Sequence, residues 1–162
     1  MIVDASVAST AQAVTSVAPT AVTPQAPLGT WRYTLHLPHS PLAPSVARAT
    51  VRTVLRAHGP IELTDRAELL VSELASNAYR YARGPASLRI SWRAGVLRIS
   101  VRDSSPQFPD PPGVGEWDLT GESGRGLRLV SECSDAWDCY RLTGRGRQAR
   151  GSGKVVWCEL TA

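Results

Sequence analysis

The chain has 162 residues, enough for about one domain, and its 43% hydrophobic and 20% charged content is ordinary for a globular protein. Its formal charge is +4; of the 18 basic residues one, Lys154, is a lysine, so seventeen are arginines scattered along the chain. That scatter lacks the clustered stripe of a nucleic-acid binder, and no apolar run approaches the ~18 residues of a membrane helix.

The expectation is therefore a cytoplasmic protein with no direct nucleic-acid contact and no membrane contact. The N-terminus lacks the basic start of a secretory signal. Three cysteines, Cys133, Cys139 and Cys158, form no CxxC pair and read as reduced thiols. His36, His39 and His58 lack the spacing of zinc ligands.

Residues 1–28 are mostly Ala, Thr, Val, Ser and Pro, with one charge, Asp4, and no aromatic ring. Such a segment buries too little to offset its ordering entropy, so it is expected to be a disordered tail preceding a domain over 29–162. In TWRYTLHL, the alternation of Trp31, Tyr33, Leu35 and Leu37 predicts a half-buried strand. A helix follows over about 44–58, with Val46, Ala47, Ala49, Thr50, Val54, Leu55 and Ala57 as apolar positions, ended by Gly59-Pro60.

Thr64 is the expected N-cap of a second helix, with Asp65 in the first turn. Ala67, Leu70, Val71, Leu74, Ala75 and Ala78 keep helical spacing as far as Tyr81, and Arg83-Gly84-Pro85 closes the helix. SLRISWRAGVLRISVRD predicts a hairpin whose arms show one face to a core and an arginine-rich face elsewhere. Residues 104–123, with four prolines and three glycines, are a long loop of the kind that is functional or disordered. GRGLRLVSECS reads as a short helix opened by glycines, and AWDCYRLTG and GKVVWCEL as two closing strands joined by GRGRQARGSG.

This order predicts a two-layer α+β sandwich, with about three helices on one face of a mixed, mainly antiparallel sheet. Three patches in it carry chemistry. Glu73 and Asn77 stand one turn apart on an otherwise apolar helix; Asp103 ends a strand and precedes Ser104-Ser105-Pro106; Gly121-Glu122-Ser123-Gly124-Arg125-Gly126 leads into a helix. Backbone amides at a helix start suit phosphate, and a carboxamide beside a carboxylate suits a hard cation and a general base.

In order and spacing, ELASNAYRYA, ISVRDSSPQFP and GESGRGLRLV resemble the N box and the two glycine boxes of the GHKL superfamily, the Bergerat-fold ATP-binding domains. Within it the chain most resembles the anti-sigma-factor serine/threonine kinases and their actinobacterial relatives, over about residues 30–162. The resemblance implies that Asn77 helps hold Mg²⁺, that Glu73 activates the attacking hydroxyl, and that Asp103 accepts a hydrogen bond from the adenine amino group. It further implies that Gly121, Gly124 and Gly126, with Arg125, cradle the phosphates of ATP, and that 104–123 is the ATP lid.

The implied partners are an anti-sigma-factor antagonist, a sigma factor, or both, and the resemblance admits a homodimer. No glycine follows Asp103, whereas the superfamily has glycines there. That difference supports the alternative, a nucleotide-binding or protein-interaction module without catalysis.

Overall fold

The computed structural model describes residues 29–108, 125–142 and 153–162. The segments 1–28, 109–124 and 143–152 lie outside it, and with them the expected tail, most of the expected lid, the Gly121 and Gly124 positions, and the loop of the last hairpin.

The elements run β1 (Trp31–Leu37), α1 (Ala43–His58), a 3₁₀ turn (Ile61–Leu63), α2 (Thr64–Tyr81), β2 (Ala86–Arg93), β3 (Val96–Asp103), α3 (Arg125–Cys133), β4 (Ala136–Leu142) and β5 (Gly153–Thr161). The five strands form one sheet in the order β1-β2-β3-β5-β4. All four pairings are antiparallel, so the expected sandwich is present and its described sheet has no parallel pair. Among the described residues no helix is long and apolar enough to cross a membrane.

Alternation decides which face of the sheet is covered. Leu88, Ile90 and Trp92 of β2, Leu97, Ile99 and Val101 of β3, and Val156, Cys158 and Leu160 of β5 are all buried, and they pack with the helices in one core. In α2 all six expected apolar positions are buried, from Ala67 to Ala78. Burial of each large side chain contributes about 1.5–3 kcal/mol, so Leu70, Val71 and Leu74 anchor α2 firmly to the core.

For α1 the expected face is partly wrong. The buried residues are Ala43, Ala47, Val51, Val54 and Leu55, while Val46 is 49% exposed and Ala49 and Ala57 face outward. Ala-rich positions carry little directional signal, and Val51 continues the 43-47-51-54-55 stripe that meets α2.

Thr64 does not cap α2. The N-cap position is Leu63, and Thr64 is the first helical residue, its hydroxyl donating to the Ile61 carbonyl at 2.6 Å. The preceding 3₁₀ turn satisfies that end of the helix in place of a side-chain cap. Between β2 and β3 the turn is the two residues Ala94 and Gly95, with φ of 50° and 83°, and Arg93 pairs with Val96 across it. Two positive φ values match the right-handed twist of a tight hairpin, and the glycine takes its place at no steric cost.

Candidate functional site

Helix α2 carries its two polar residues on the flank of its buried stripe. Glu73 and Asn77 are both half-buried, next to Leu74 and Ala78, which point into the core. Among the described residues neither makes a side-chain hydrogen bond or ion pair, so the packing of α2 on the core decides which way they face.

Helix α3 lies along this flank and runs antiparallel to α2. At its C-terminal end Arg66 of α2 donates from Nε to the Cys133 carbonyl at 3.2 Å and pairs with Asp135 at 2.7 Å. At its N-terminal end a β-carbon placed on Gly126 would sit 2.6 Å from Glu73 Oε2, and 3.5 and 3.7 Å from Asn77 Oδ1 and Nδ2. The spans match: Arg66 to Glu73 and Gly126 to Cys133 are each seven residues, about 10 Å of helix. Both ends of α3 thus meet the charge that suits the helix dipole, a carboxylate at the start and a guanidinium at the finish.

A side chain at Gly126 would meet the Glu73 carboxylate and oblige it to turn away, so the glycine lets that carboxylate lie against the start of α3. The backbone of Arg125 opens the helix beside it. The structure therefore brings together three of the residues singled out by sequence, Glu73, Asn77 and Gly126, from two motifs about fifty residues apart.

Asp103, at the end of β3, belongs to a second cluster. It is 5% exposed and accepts two hydrogen bonds on Oδ1, from the Ser105 backbone N–H at 2.7 Å and from Lys154 Nζ at 3.1 Å. Lys154 is itself 5% exposed and lies directly opposite Asp103 in the β3–β5 register. Next to it Gly153 packs against the Asp103 carbonyl so tightly that a β-carbon would collide with that oxygen. Gly84, just after α2, lies where a β-carbon would meet Ser104 Oγ at 3.3 Å, which ties the end of α2 to the end of β3.

Lys154, Ser105 and Gly153 were not among the expected site residues. A trace of Lys154 was visible as the chain's only lysine, set in an apolar strand, but its partner is fixed by a cross-strand register that one sequence does not state. The structure also brings a histidine to the N box. His39, forty residues away, donates from Nε2 to the Tyr79 carbonyl at 3.0 Å, and its ring lies 4.9 Å from that of Tyr79. Among the described residues no group of three or more His, Cys, Asp or Glu side chains could hold a metal by itself. An ion here would need phosphate oxygens to complete its shell, as Mg²⁺ commonly does.

No curated protein matches the chain. A family model, described as the histidine kinase-like ATPase domain, matches residues 38–152, a span that holds Glu73, Asn77, Asp103 and Gly126 and more than half of the chain. With its α+β sandwich and an ATP-binding function common to such domains, the chain belongs to the histidine kinase-like ATPase domain family.

Proposed function

We propose that this ATPase-type domain is a Mg-ATP-dependent protein kinase of the anti-sigma-factor kind. It phosphorylates a serine or threonine of a small antagonist protein and takes a sigma factor as its second partner. The observation that carries the reading is the contact of Gly126 with Glu73 and Asn77, which sets a helix start, a carboxylate and a carboxamide around one point.

In this reading the amides at the start of α3 hold phosphate oxygens. The Asn77 carbonyl oxygen is the protein ligand for Mg²⁺, which supplies charge neutralisation at the phosphates when bound. The acceptor hydroxyl oxygen attacks the γ-phosphorus as the bond from that phosphorus to the β,γ-bridging oxygen breaks. Glu73 takes the hydroxyl proton, and ADP leaves with the bridging electron pair. Asp103 meets the adenine amino group through Oδ2, its Oδ1 being engaged by Ser105 and Lys154.

Calorimetric titration with ATP, with and without Mg²⁺, tests the reading on the parent, Asn77→Ala and Glu73→Gln. The expected result is Mg-dependent binding that Asn77→Ala weakens and Glu73→Gln retains, with phosphoryl transfer lost in Glu73→Gln. Equal binding by Asn77→Ala removes the metal role, and full transfer by Glu73→Gln removes the base.

The second reading is a protein-interaction module without catalysis, favoured by one observation: Asp103 already has two partners inside the chain. It predicts no heat of ATP binding from a folded sample.

A further inference from the structure

The helices cover one face of the sheet, and the other face carries a regular pattern of charge. Following the pairing register across β1, β2 and β3, one row reads Arg32, Ser91, Arg98; the next Thr34, Arg89, Ser100; the next His36, Ser87, Arg102. Arginines, with His36 in one corner, alternate with short hydroxyl residues in both directions. With strands about 4.8 Å apart and every second residue about 6.6 Å along a strand, neighbouring arginines are about 8 Å apart. None lies directly opposite another, which avoids the like-charge pairing that destabilises sheets.

Among the described residues most of these charges are left open, whereas on the helices Arg48, Arg56 and Arg80 are open and three other arginines are paired. Arg52 pairs with Glu68, Arg66 with Asp135 and Arg128 with Glu132. On the sheet face Arg98 is, among the described residues, the one arginine paired with an acid, Glu159 at 2.8 Å. Among the described residues Arg32, Arg89, Arg93 and Arg102 are in no ion pair, and all four are exposed. Residues 1–28 hold a single acid, so that segment lacks the charge to neutralise the patch.

We infer that the open face of β1–β3 is a docking surface for a protein partner that presents a carboxylate-rich patch. Guanidinium groups spaced by hydroxyls offer forked donors to carboxylates, with Ser and Thr as secondary donors between them. A single-stranded nucleic acid would need open aromatic rings for its bases. Trp157, adjacent to Ser100 in the register, has the Arg98 guanidinium 3.8 Å above its ring, and Tyr140 stands on the far edge strand β4. A membrane surface would need apolar side chains to insert among the charges, and the three rows hold none. The inference does not depend on the nucleotide site.

The test is fluorescence anisotropy of the full chain with a labelled acidic peptide of about 15 Glu and Asp residues, beside an oligouridine of the same length. The parent is compared with Arg89→Glu/Arg102→Glu and with Arg48→Glu/Arg56→Glu, an equal charge change on exposed positions of α1. Circular dichroism checks that both doubles fold. The expected result is peptide binding that weakens as salt rises, falls about tenfold or more in the sheet double and changes little in the α1 double. Absence of peptide binding, or equal loss in both doubles, overturns the proposal. Tighter binding of the oligouridine than of the peptide, lost in the sheet double, overturns it in favour of a nucleic-acid surface.

Discussion

Replacing Lys154 with Met separates an ion pair in which both side chains are nearly out of water, 6% and 2% exposed. Removing one partner of a buried pair typically costs about 3–5 kcal/mol, because the charge left behind has neither water nor a counter-ion. Asp103 keeps one compensating contact, the Ser105 N–H at 2.7 Å on the same oxygen. The loss should therefore fall at the lower end, about 3 kcal/mol, out of a total that is about 5–15 kcal/mol for a domain. With a urea slope of about 1–3 kcal/mol per molar, the unfolding midpoint should drop by 1 M or more. Asp103→Asn should cost at least as much, since it strands the ammonium. The double variant Asp103→Asn/Lys154→Met should cost less than the sum by about 2 kcal/mol or more, because the Asn still accepts from Ser105 and no charge is buried. Urea unfolding followed by circular dichroism measures all four proteins. A Lys154→Met variant within about 1 kcal/mol of the parent, or a double variant whose cost is the simple sum, would refute the argument.

Gly126→Ala puts a methyl group 2.6 Å from Glu73 Oε2, so the carboxylate must turn away. Phosphoryl transfer should fall about tenfold or more while the helical signal is retained, because the displaced group is the base; unchanged transfer would detach Gly126 from the site. The Asp135 carboxyl is held below its ordinary value first by the Thr161 backbone N–H and then by Arg66. Its contribution to stability is thus present above the unfolded value of about 3.9 and is lost as pH falls through the lower folded value. In thermal scans from pH 7 to pH 2, the gap in Tm between parent and Asp135→Asn should be steady above about pH 5 and close below about 3.9. A gap as wide at pH 2 as at pH 7 contradicts this. Burial pushes the Cys158 thiol up to about 12. At pH 8 it should resist alkylation in the folded chain and react only on unfolding, as read by mass spectrometry; ready modification of the native protein would place it outside the core.

Most of the fold was legible because its elements have strong periods. The 67-70-71-74-75-78 stripe of α2 and the two-residue alternation of β2 and β3 match the observed burial without exception. Where the pattern was weak, the reading failed: alanines at 47, 49 and 57 of α1 say little about direction, and only packing against α2 selects Ala47 and leaves the other two outside. Thr64 failed for another reason. A Thr followed by Asp signals a cap, but the 3₁₀ turn before it already satisfies the helix end. In the candidate site, Glu73 and Asn77 were visible as polar residues that break an apolar stripe. The partnership of Asp103 with Lys154 was not, because it depends on β5 returning beside β3 after two intervening elements.

The same reasoning explains why the site is well placed without being strongly held. Neither Glu73 nor Asn77 needs a side-chain partner to fix it, because α2 is clamped through its other face by Leu70, Val71 and Leu74, all essentially fully buried. Position along the helix is set by the core, and distance to α3 is set by a glycine with no side chain to intrude. Arg66 then fixes the far end of α3 at Cys133 and Asp135, so α3 meets α2 at two points about 10 Å apart. A change at Arg66 should therefore reach Gly126 through the angle of α3 rather than through any direct contact. Arg66→Ala should lower ATP affinity while leaving Glu73 and Asn77 in place on α2, a coupling that calorimetry on Arg66→Ala, Asp135→Asn and the double variant can resolve. If both single losses add fully in the double variant, Arg66 acts on the site by some route other than its pairing with Asp135.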